Sequence, residues 1–267
     1  MDELRFTILG CGSSPGVPRI GNDWGACDPN NPKNERLRCA LLVERISENG
    51  ITRVLVDATP DLRTQMLREN IAFLDGVLIT HPHADHIHGL DDLRGFWLKQ
   101  RKLIDVYADR STSARLMGAF GYCFKTPEGS SYPPILTLHE IEAGKPVVIE
   151  GAGGPLTALP YVQHHGDIHS LGFRFENVAY SSDAVGLPEE TLPHLQGLEI
   201  FVLDALRYTP HPSHYSLSEA LEVAQNLQVG KAILTHMHID LDYDTLCTEL
   251  PNWATPAYDG MRFSVEV

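Results

Sequence analysis

The segment VLITHPHADHIHGLDD contains an unusual concentration of side chains that bind metal ions. It begins as an apolar run of strand length that ends at Thr80. Four side chains of ligand type follow within six residues, namely His81, His83, Asp85 and His86. Imidazole nitrogens and carboxylate oxygens suit Zn, Mn or Fe, and polar residues at the carboxyl end of a strand occupy the usual functional edge of an α/β sheet. The spacing therefore predicts a metal site and allows two ions.

Further candidate ligands follow other strand-like runs: His164 or His165, Asp183 in AYSSDA, and His236 in AILTHMH. Each is weak evidence by itself, because a lone His after a strand is more often a hydrogen-bonded residue and a lone Asp is more often a cap. Their occurrence beside the His-rich loop favours a shared role as metal ligands.

The elements that must position these residues alternate along the chain. Strand-like apolar runs are Phe6 to Leu9, Ala40 to Val43, Val54 to Val56, Val77 to Ile79, Val147 to Ile149, Phe173 to Phe175, Ile200 to Leu203 and Ala232 to Leu234. Helical patterns are Pro60 to Glu69, Leu90 to Arg101, Ser111 to Phe120, and Leu217 to Leu227 with a cap at Ser216. Such alternation predicts a layered α/β domain.

No linker, repeat or composition break divides the chain, so residues 1–267 are predicted to form a single domain. The stretch from Thr126 to Pro134 is rich in Pro, Gly and Ser and is typical of a surface loop.

Composition narrows the class of function. Hydrophobic residues are 43% and charged residues 21% of the 267 residues, which are ordinary globular values. The formal net charge of −14 opposes binding of large nucleic acids, whereas small phosphorylated substrates remain compatible with it. No apolar run of membrane-spanning length and no signal-peptide pattern occurs, so we expect a soluble, cytoplasmic protein without a membrane partner.

The five cysteines are widely spaced and form no CxxC pair, which argues against a disulfide framework.

The metal-ligand pattern resembles the metallo-β-lactamase superfamily, whose His-x-His-x-Asp-His motif is matched without substitution. The resemblance extends from ILGCGSSPG near the start to LTHMH near the end. It implies the metallo-β-lactamase fold, a four-layer αββα sandwich of two mixed β-sheets flanked by helices.

The family pattern also implies the division of ligands. One ion would be held by His81, His83 and His165, the other by Asp85, His86 and His236, and Asp183 would bridge both. His165 is preferred to His164 because it precedes a glycine and a Gly-aromatic-Arg strand, as in the family. Asp57 resembles the family's carboxylate that orients a ligand His, and His164, His88 and His238 are expected nearby or at the surface.

A narrower resemblance is to the phosphoribosyl cyclic phosphodiesterase of phosphonate breakdown and its relatives. It is carried by GCGSSPGVPRIG, Cys27-Asp28, Arg38-Cys39-Ala40, and by Asp204, His211, His214 and Ser216 in DALRYTPHPSHYSL. In that branch a His at the position of His214 acts near the leaving group, and Asp204 is expected to orient a neighbouring side chain. The alternative for His214 is a loop residue packed before a helix start. The chain departs from the branch in lacking a Cys-x-Cys-x-x-Cys cluster, which helps to bind a structural zinc in that branch, and this weakens transfer of the exact substrate. A zinc site from Cys27, Cys39 and His238 would lack an evident fourth ligand, so we do not expect one.

These features predict a dinuclear metal-dependent hydrolase that cleaves a small cyclic, nucleotide or sugar phosphodiester with a hydroxide formed on two divalent ions, Mn or Zn, with Fe as a further option. Asp85 and His214 are the candidate catalytic residues. The predicted partner is a small phosphorylated substrate, and a homodimer is left open.

Three alternatives remain. An RNA-processing nuclease shares the metal motif, but we find no basic substrate arm. A glyoxalase II-like thioester hydrolase usually has a helical C-terminal extension, whereas this sequence ends in the strand-like MRFSVEV. A catalytically silent nucleotide-binding protein would be expected to lack a ligand, whereas all seven are present.

Overall fold

The computed structural model describes residues 2–267, which divide into two compact units. The first unit comprises residues 2–7, 40–157 and 262–267, and the second comprises residues 8–39 and 158–261. The single-domain organisation stays a prediction.

Residues 2–267 form fourteen strands and six α-helices. The strands are β1 (Glu3–Gly10), β2 (Ala40–Ser47), β3 (Gly50–Val56), β4 (Gly76–Leu78), β5 (Ile104–Ala108), β6 (Leu136–Glu140), β7 (Val147–Ile149), β8 (Leu156–His165), β9 (Ile168–Phe175), β10 (Val178–Ser181), β11 (Ile200–Asp204), β12 (Lys231–Thr235), β13 (Ala254–Pro256) and β14 (Arg262–Glu266). The helices are α1 (Leu62–Arg68), α2 (Ala84–Ile87), α3 (Arg94–Gln100), α4 (Arg110–Phe124), α5 (Leu217–Asn226) and α6 (Tyr243–Glu249).

The strands form two mixed sheets of seven strands each, in the orders β14-β1-β2-β3-β4-β5-β6 and β13-β12-β11-β10-β9-β8-β7. In the first sheet β3 to β6 run parallel, whereas the β1–β14 and β2–β3 pairs are antiparallel. In the second sheet β10 to β13 run parallel and β8, β9 and β10 pair antiparallel. The predicted α/β class with two mixed sheets flanked by helices is confirmed.

The parallel strands of each unit explain the apolar runs in the sequence. Every residue of β4, β10 and β11 is buried, as expected for parallel strands covered on both faces. Burial of these runs supplies the hydrophobic stabilisation that holds the strand ends, and therefore the polar residues that follow them, in fixed positions.

All eight predicted strand runs lie within strands or extend one residue beyond them, and the four helical patterns are helices with adjusted ends. The pattern Leu90 to Arg101 is a 3₁₀ turn at Leu90–Leu93 followed by α3. The predicted cap of α5 is a capping box, in which Ser216 and Glu219 exchange hydrogen bonds between side chain and backbone. The loop from Thr126 to Pro134 is largely exposed.

None of the helices formed by residues 2–267 combines the length and the apolar character needed to cross a lipid bilayer.

Candidate metal centre

The His-rich loop of the first unit follows β4 and contains α2. His81, Asp85 and His86 are buried, whereas His83 is exposed at the N-terminal cap position of α2. The His81 ring lies 4.6 Å from the His83 ring and 4.2 Å from the His86 ring, measured between centroids. The Asp85 carboxylate lies 3.5 Å from His86 Nε2. Four donor groups of the loop are therefore gathered within the first unit.

Asp57 anchors this loop from the end of β3. The register that pairs Val56 with Leu78 brings Asp57 beside Thr80, whose backbone N–H donates to Asp57 Oδ1 at 2.8 Å. His86 Nδ1 donates to Asp57 Oδ2 at 2.7 Å. Because a carboxylate only accepts, the proton of neutral His86 lies on Nδ1, and Nε2 carries the lone pair that a metal ion requires. Burial raises the pKa of Asp57, and the adjacent His86 opposes that rise.

Thr80 extends the influence of Asp57 to a second histidine. The Thr80 hydroxyl lies 3.1 and 2.9 Å from the two Asp57 oxygens and 2.9 Å from His81 Nδ1. Since the hydroxyl proton is donated to the carboxylate, the hydroxyl oxygen accepts from His81 Nδ1–H. Asp57 thereby fixes the proton of His86 directly and that of His81 through Thr80. Sequence reasoning missed Thr80, because a threonine at a strand end has no distinctive signature.

The loop is also packed tightly against its own unit. Ala58 N–H donates to His86 O at 2.9 Å, and Gly89 N–H donates to Ala58 O at 2.8 Å. A Cβ at Gly89 would lie 1.9 Å from the carbonyl oxygen of Thr59. Only glycine fits there, so Gly89 sets the close approach that positions α2.

The second unit holds the other donors at the ends of its strands. His165 ends β8, Asp183 follows β10, and His236 follows β12, and all three are buried. Asp183 Oδ1 lies 3.7 Å from His165 Nε2 and 3.3 Å from His236 Nε2. Among residues of this unit, His165, Asp183 and His214 each offer a donor atom within 4.8 Å of one another, and so do Asp204, His214 and His236.

The tautomer of His165 is also set by a hydrogen bond. Its Nδ1 donates to the carbonyl oxygen of Ser213 at 2.8 Å, which leaves Nε2 as the lone-pair nitrogen facing Asp183. Burial lowers the pKa of His165, and the Asp183 carboxylate opposes that change. Low pKa favours the neutral ring, which is the form that binds metal. The neighbouring His164 is exposed and its ring contacts His169, whereas His165 is buried beside Asp183. The choice of His165 as a metal ligand stays a prediction.

Asp204 and His214 form a buried pair beside these donors. His214 Nδ1 donates to Asp204 Oδ2 at 2.7 Å, and Ala184 N–H donates to the same oxygen at 2.9 Å. The His214 ring stacks on the His236 ring at 4.6 Å with an interplanar angle of 13°. The second Asp204 oxygen is 3.8 Å from His236 Nδ1, too long for a direct hydrogen bond. Asp204 therefore orients the His214 ring, and its role in the site stays a prediction.

Three residues of the candidate site have an unusual backbone conformation. Asp57, Asp183 and His236 have φ angles of 67°, 54° and 59°, in the left-handed region that L-residues rarely adopt. Such conformations persist where the surrounding structure enforces them and are common at functional sites.

The donor sets fit a divalent cation. Each consists of histidine nitrogens and carboxylate oxygens, the ligands that Zn, Mn and Fe accept, and hydrogen bonds on the opposite ring nitrogens of His81, His86 and His165 orient their Nε2 lone pairs. Two histidines that were not predicted to be ligands make other contacts. His88 contacts Phe120, and His238 Nδ1 lies 3.2 Å from Asp240.

The glycine-rich N-terminal segment, Cys27 and Cys39 have packing roles in the second unit. A Cβ at Gly12 would lie 2.8 Å from Arg36 O. The buried Arg36 guanidinium donates to the carbonyl oxygens of His238 at 3.1 Å and Leu241 at 2.6 Å, and lies beside the Cys27 thiol. Cys27 contacts the carbonyls of Ile239 and Leu241, whereas the Cys39 thiol lies 3.4 Å from Gly12 O. A buried cation thus ties the 238–241 segment to the N-terminal segment.

Comparison with known proteins agrees with this geometry. The model of the beta-lactamase superfamily domain matches residues 52–237, which include all seven predicted metal ligands. The chain belongs to the metallo-β-lactamase superfamily. The fold prediction is thereby confirmed, and membership together with the donor chemistry supports a metal-dependent hydrolase.

Three relatives refine this placement. A solved structure of a diphosphatase from the PhnP family is 33% identical with a TM-score of 0.87, and the match covers 99% of this chain and 98% of that one. The octanoyltransferase of Porphyromonas gingivalis is 30% identical over 98% of this chain, which spans about half of that relative (52%). A ribonuclease Z of a Mycobacterium species is 28% identical over 68% of this chain and 73% of its own length. The chain therefore lies near the PhnP branch, in agreement with the resemblance of its motifs to the phosphoribosyl cyclic phosphodiesterase of phosphonate breakdown and its relatives.

Proposed function

We propose that this protein hydrolyses phosphodiester bonds in small molecules with the aid of two divalent metal ions. The observation that supports this best is the set of seven ligand-type side chains, six of them buried, in the loop and helix α2 that follow β4, at the end of β8, and just after β10 and β12. They occur in a chain 33% identical over nearly its whole length to a PhnP-family diphosphatase. The division of the ligands between two ions is carried over from the family pattern.

When bound, such ions would neutralise phosphate oxygens and lower the pKa of a water molecule so that hydroxide is available near neutral pH. The chain's own residues prepare the ligands. Asp57 and Thr80 present the Nε2 lone pairs of His86 and His81, and the Ser213 carbonyl presents that of His165. Because these hydrogen bonds orient the histidine rings before metal binds, the entropy cost of forming the metal centre is lower.

His214 is proposed to hold a proton for the leaving oxygen. Its Nδ1 is committed to Asp204, so a transferable proton would be held on Nε2. The His214 side chain is 11% exposed, and its ring stacks on that of His236. The structure also offers His214 as a metal donor within its unit, and the metal content of a His214 variant separates these roles.

A small substrate is favoured over RNA. The net charge of −14 would repel a polynucleotide over most of its length. A small phosphate ester needs its negative charge to be neutralised only at the metal centre. A diphosphate linkage is the second candidate, because the PhnP-family relative of 33% identity is a diphosphatase.

The test combines metal analysis with a substrate panel. Purified protein is analysed for bound metals and assayed on a phosphodiester, a dinucleoside diphosphate, a phosphomonoester and a glutathione thioester. We expect about two ions per chain and turnover of the diester or the diphosphate. Asp85→Asn should lose metal and at least about 100-fold in kcat, whereas the exposed Asp167→Asn should behave as wild type.

Two results would contradict the proposal. Preference for the thioester would place the chain with glyoxalase II-like enzymes. A fully metal-loaded protein that cleaves none of the four substrates would favour a binding protein.

A further inference from the structure

Residues 207–214 form a loop between β11 and α5 in which the proposed function uses only His214 and the Ser213 carbonyl. We name this segment the 207–214 loop. Leu206 N–H donates to Tyr215 O at 2.9 Å, so the two ends of the loop lie side by side. This closure limits the positions that the side chains of the loop can take relative to His214.

His211 lies beside His214 within this loop. The centroids of the two rings are 5.2 Å apart, with an interplanar angle of 44°. The His214 ring also contacts the rings of two candidate metal ligands, His236 at 4.6 Å and His165 at 4.8 Å. In the proposed reaction the leaving oxygen takes its proton from His214. The departing group would therefore lie close to the neighbours of His214, and His211 is one of them.

A hydrogen bond from the backbone determines which nitrogen of His211 is a donor. Ser213 N–H donates to His211 Nδ1 at 3.3 Å, and the Ser213 hydroxyl lies 3.1 Å from the same nitrogen. A ring nitrogen that accepts from an N–H carries a lone pair, so the ring proton of His211 is on Nε2. Within residues 2–267 this Nε2–H has no hydrogen-bond acceptor. His211 therefore offers one N–H donor to a ligand.

Arg207 supplies a positive charge to the same loop. Its Nε donates to the carbonyl oxygen of Thr209 at 3.1 Å, and its Nη2 donates to that of Pro210 at 2.8 Å. These bonds hold the partly buried Arg207 side chain next to the residue that precedes His211. In the described residues 2–267 the guanidinium forms no ion pair with a carboxylate, although acidic residues outnumber basic ones by 35 to 21. An arginine without a carboxylate partner in an acidic protein is a candidate group for binding phosphate.

We propose that Arg207 and His211 bind the phosphate that departs when this protein hydrolyses a diphosphate. The inference rests on the proposed function and decides between its two candidate substrates. In a diphosphate the leaving oxygen is bonded directly to a second phosphorus, so a phosphate lies next to the proton donor His214. In a simple diester the leaving oxygen is bonded to carbon, and a cation beside it has no anion to bind.

The reaction consumes one water molecule and no other reactant. The water oxygen bonds to one phosphorus, and the bond from that phosphorus to the bridging oxygen breaks. The bridging oxygen keeps the electron pair and receives the proton of His214, and the proton that the water loses restores His214. The products are two phosphate monoesters. The departing monoester is an anion, which the Arg207 guanidinium and the His211 Nε2–H bind.

The first test measures binding without turnover, by calorimetry on protein loaded with Mn²⁺. The probes are adenosine monophosphate and α,β-methylene adenosine diphosphate, in which carbon joins the two phosphorus atoms and prevents cleavage between them. Wild type is expected to bind the diphosphate analogue at least about 10-fold more tightly than the monophosphate. Arg207→Met and His211→Phe should each remove most of this preference. Arg207→Lys keeps the charge without the planar guanidinium and should retain part of it.

The second test compares turnover of a dinucleoside diphosphate with that of bis(p-nitrophenyl) phosphate, whose leaving group carries no phosphate. Arg207→Met and His211→Phe should lower kcat/KM on the diphosphate by about 10-fold or more, and change it on the diester by less than about threefold. His194→Phe is the matched control, because His194 is also a partly buried histidine of the second unit but lies in the turn Leu192–Leu195. This variant should behave as wild type in both tests.

The outcomes separate this inference from the proposed function. If wild type cleaves neither substrate but its preference for the diphosphate analogue depends on Arg207 and His211, the hydrolase proposal fails and the phosphate subsite stands. The inference is overturned if wild type binds the two probes equally, if both variants keep the preference, or if wild type cleaves only the diester. Equal losses of activity on both substrates would also overturn it, since the loop would then serve the metal centre or the fold and not a second phosphate.

Discussion

Replacing Thr80 by valine removes one hydroxyl from the core of the first unit and is expected to weaken metal binding. Valine has nearly the same shape, so packing is conserved. The change deletes the contacts at 2.9 to 3.1 Å from the hydroxyl to Asp57 and to His81 Nδ1. His81 Nδ1–H then lacks its acceptor, and the ring can move its proton to Nε2, the nitrogen needed for the metal.

The magnitude follows from the buried hydrogen bonds. Leaving a buried polar group unsatisfied costs about 1–3 kcal/mol, and loss of a group that orients a ligand His typically lowers metal affinity by about 10–100-fold. We therefore expect Thr80→Val to raise the Kd of the ion bound by His81 by about 10–100-fold. The free energy of unfolding of the metal-free protein should fall by about 1–3 kcal/mol.

The assay is chelator competition with the metal-free protein, alongside urea unfolding. Thr80→Ser is the matched control, because it keeps the hydroxyl and should bind metal within about threefold of wild type. If Thr80→Val binds both ions as tightly as Thr80→Ser, the hydroxyl does not orient His81 and the reasoning is refuted. A loss of stability without a loss of affinity would leave Thr80 a purely structural residue.

Three other predictions follow from particular contacts. His214→Asn should keep the wild-type metal content but lower kcat on a diester by about 100-fold or more, and loss of metal from this variant would instead make His214 a ligand. Gly89→Ala, whose Cβ would lie 1.9 Å from Thr59 O, should destabilise the fold by about 1–3 kcal/mol in urea unfolding, whereas Gly118→Ala in α4, where a Cβ meets nothing within 4 Å, should not. Burial raises the pKa of Asp242, but hydrogen bonds from Thr245, Asp28 and Asn34 outweigh it and lower that pKa to about 2. Since the folded pKa is depressed, Asp242 stabilises the fold above the ordinary carboxyl value of 3.8, and this contribution is lost as pH falls toward 2. Asp242→Asn should therefore be less stable than wild type at pH 6, and the difference should shrink toward pH 2; a constant difference would contradict the assignment.

Much of the fold could be predicted from the local pattern of apolar and polar residues. The buried parallel strands are apolar throughout, so runs such as those of β4 and β11 were recognisable. The short α2 was missed, because four residues are too few to show a helical period. The strand β5 was also missed, because Asp105 interrupts its apolar run.

The candidate ligands were similarly accessible from sequence. His81, His83, Asp85 and His86 lie close together in the chain, so their proximity in space follows from covalent geometry. Asp183 and His236 were identified only through their positions after strands and the family resemblance.

What the sequence by itself determined is therefore which residues are the candidate donors and which class of chemistry they suit, because both depend on residue type and short spacing. The tertiary structure alone decided how the donors are held. Thr80 and Asp57 are 23 residues apart and meet through the β3–β4 register, and Arg36 reaches the carbonyl of His238 across 202 residues. Contacts between distant residues depend on strand register and side-chain packing, which no local pattern encodes.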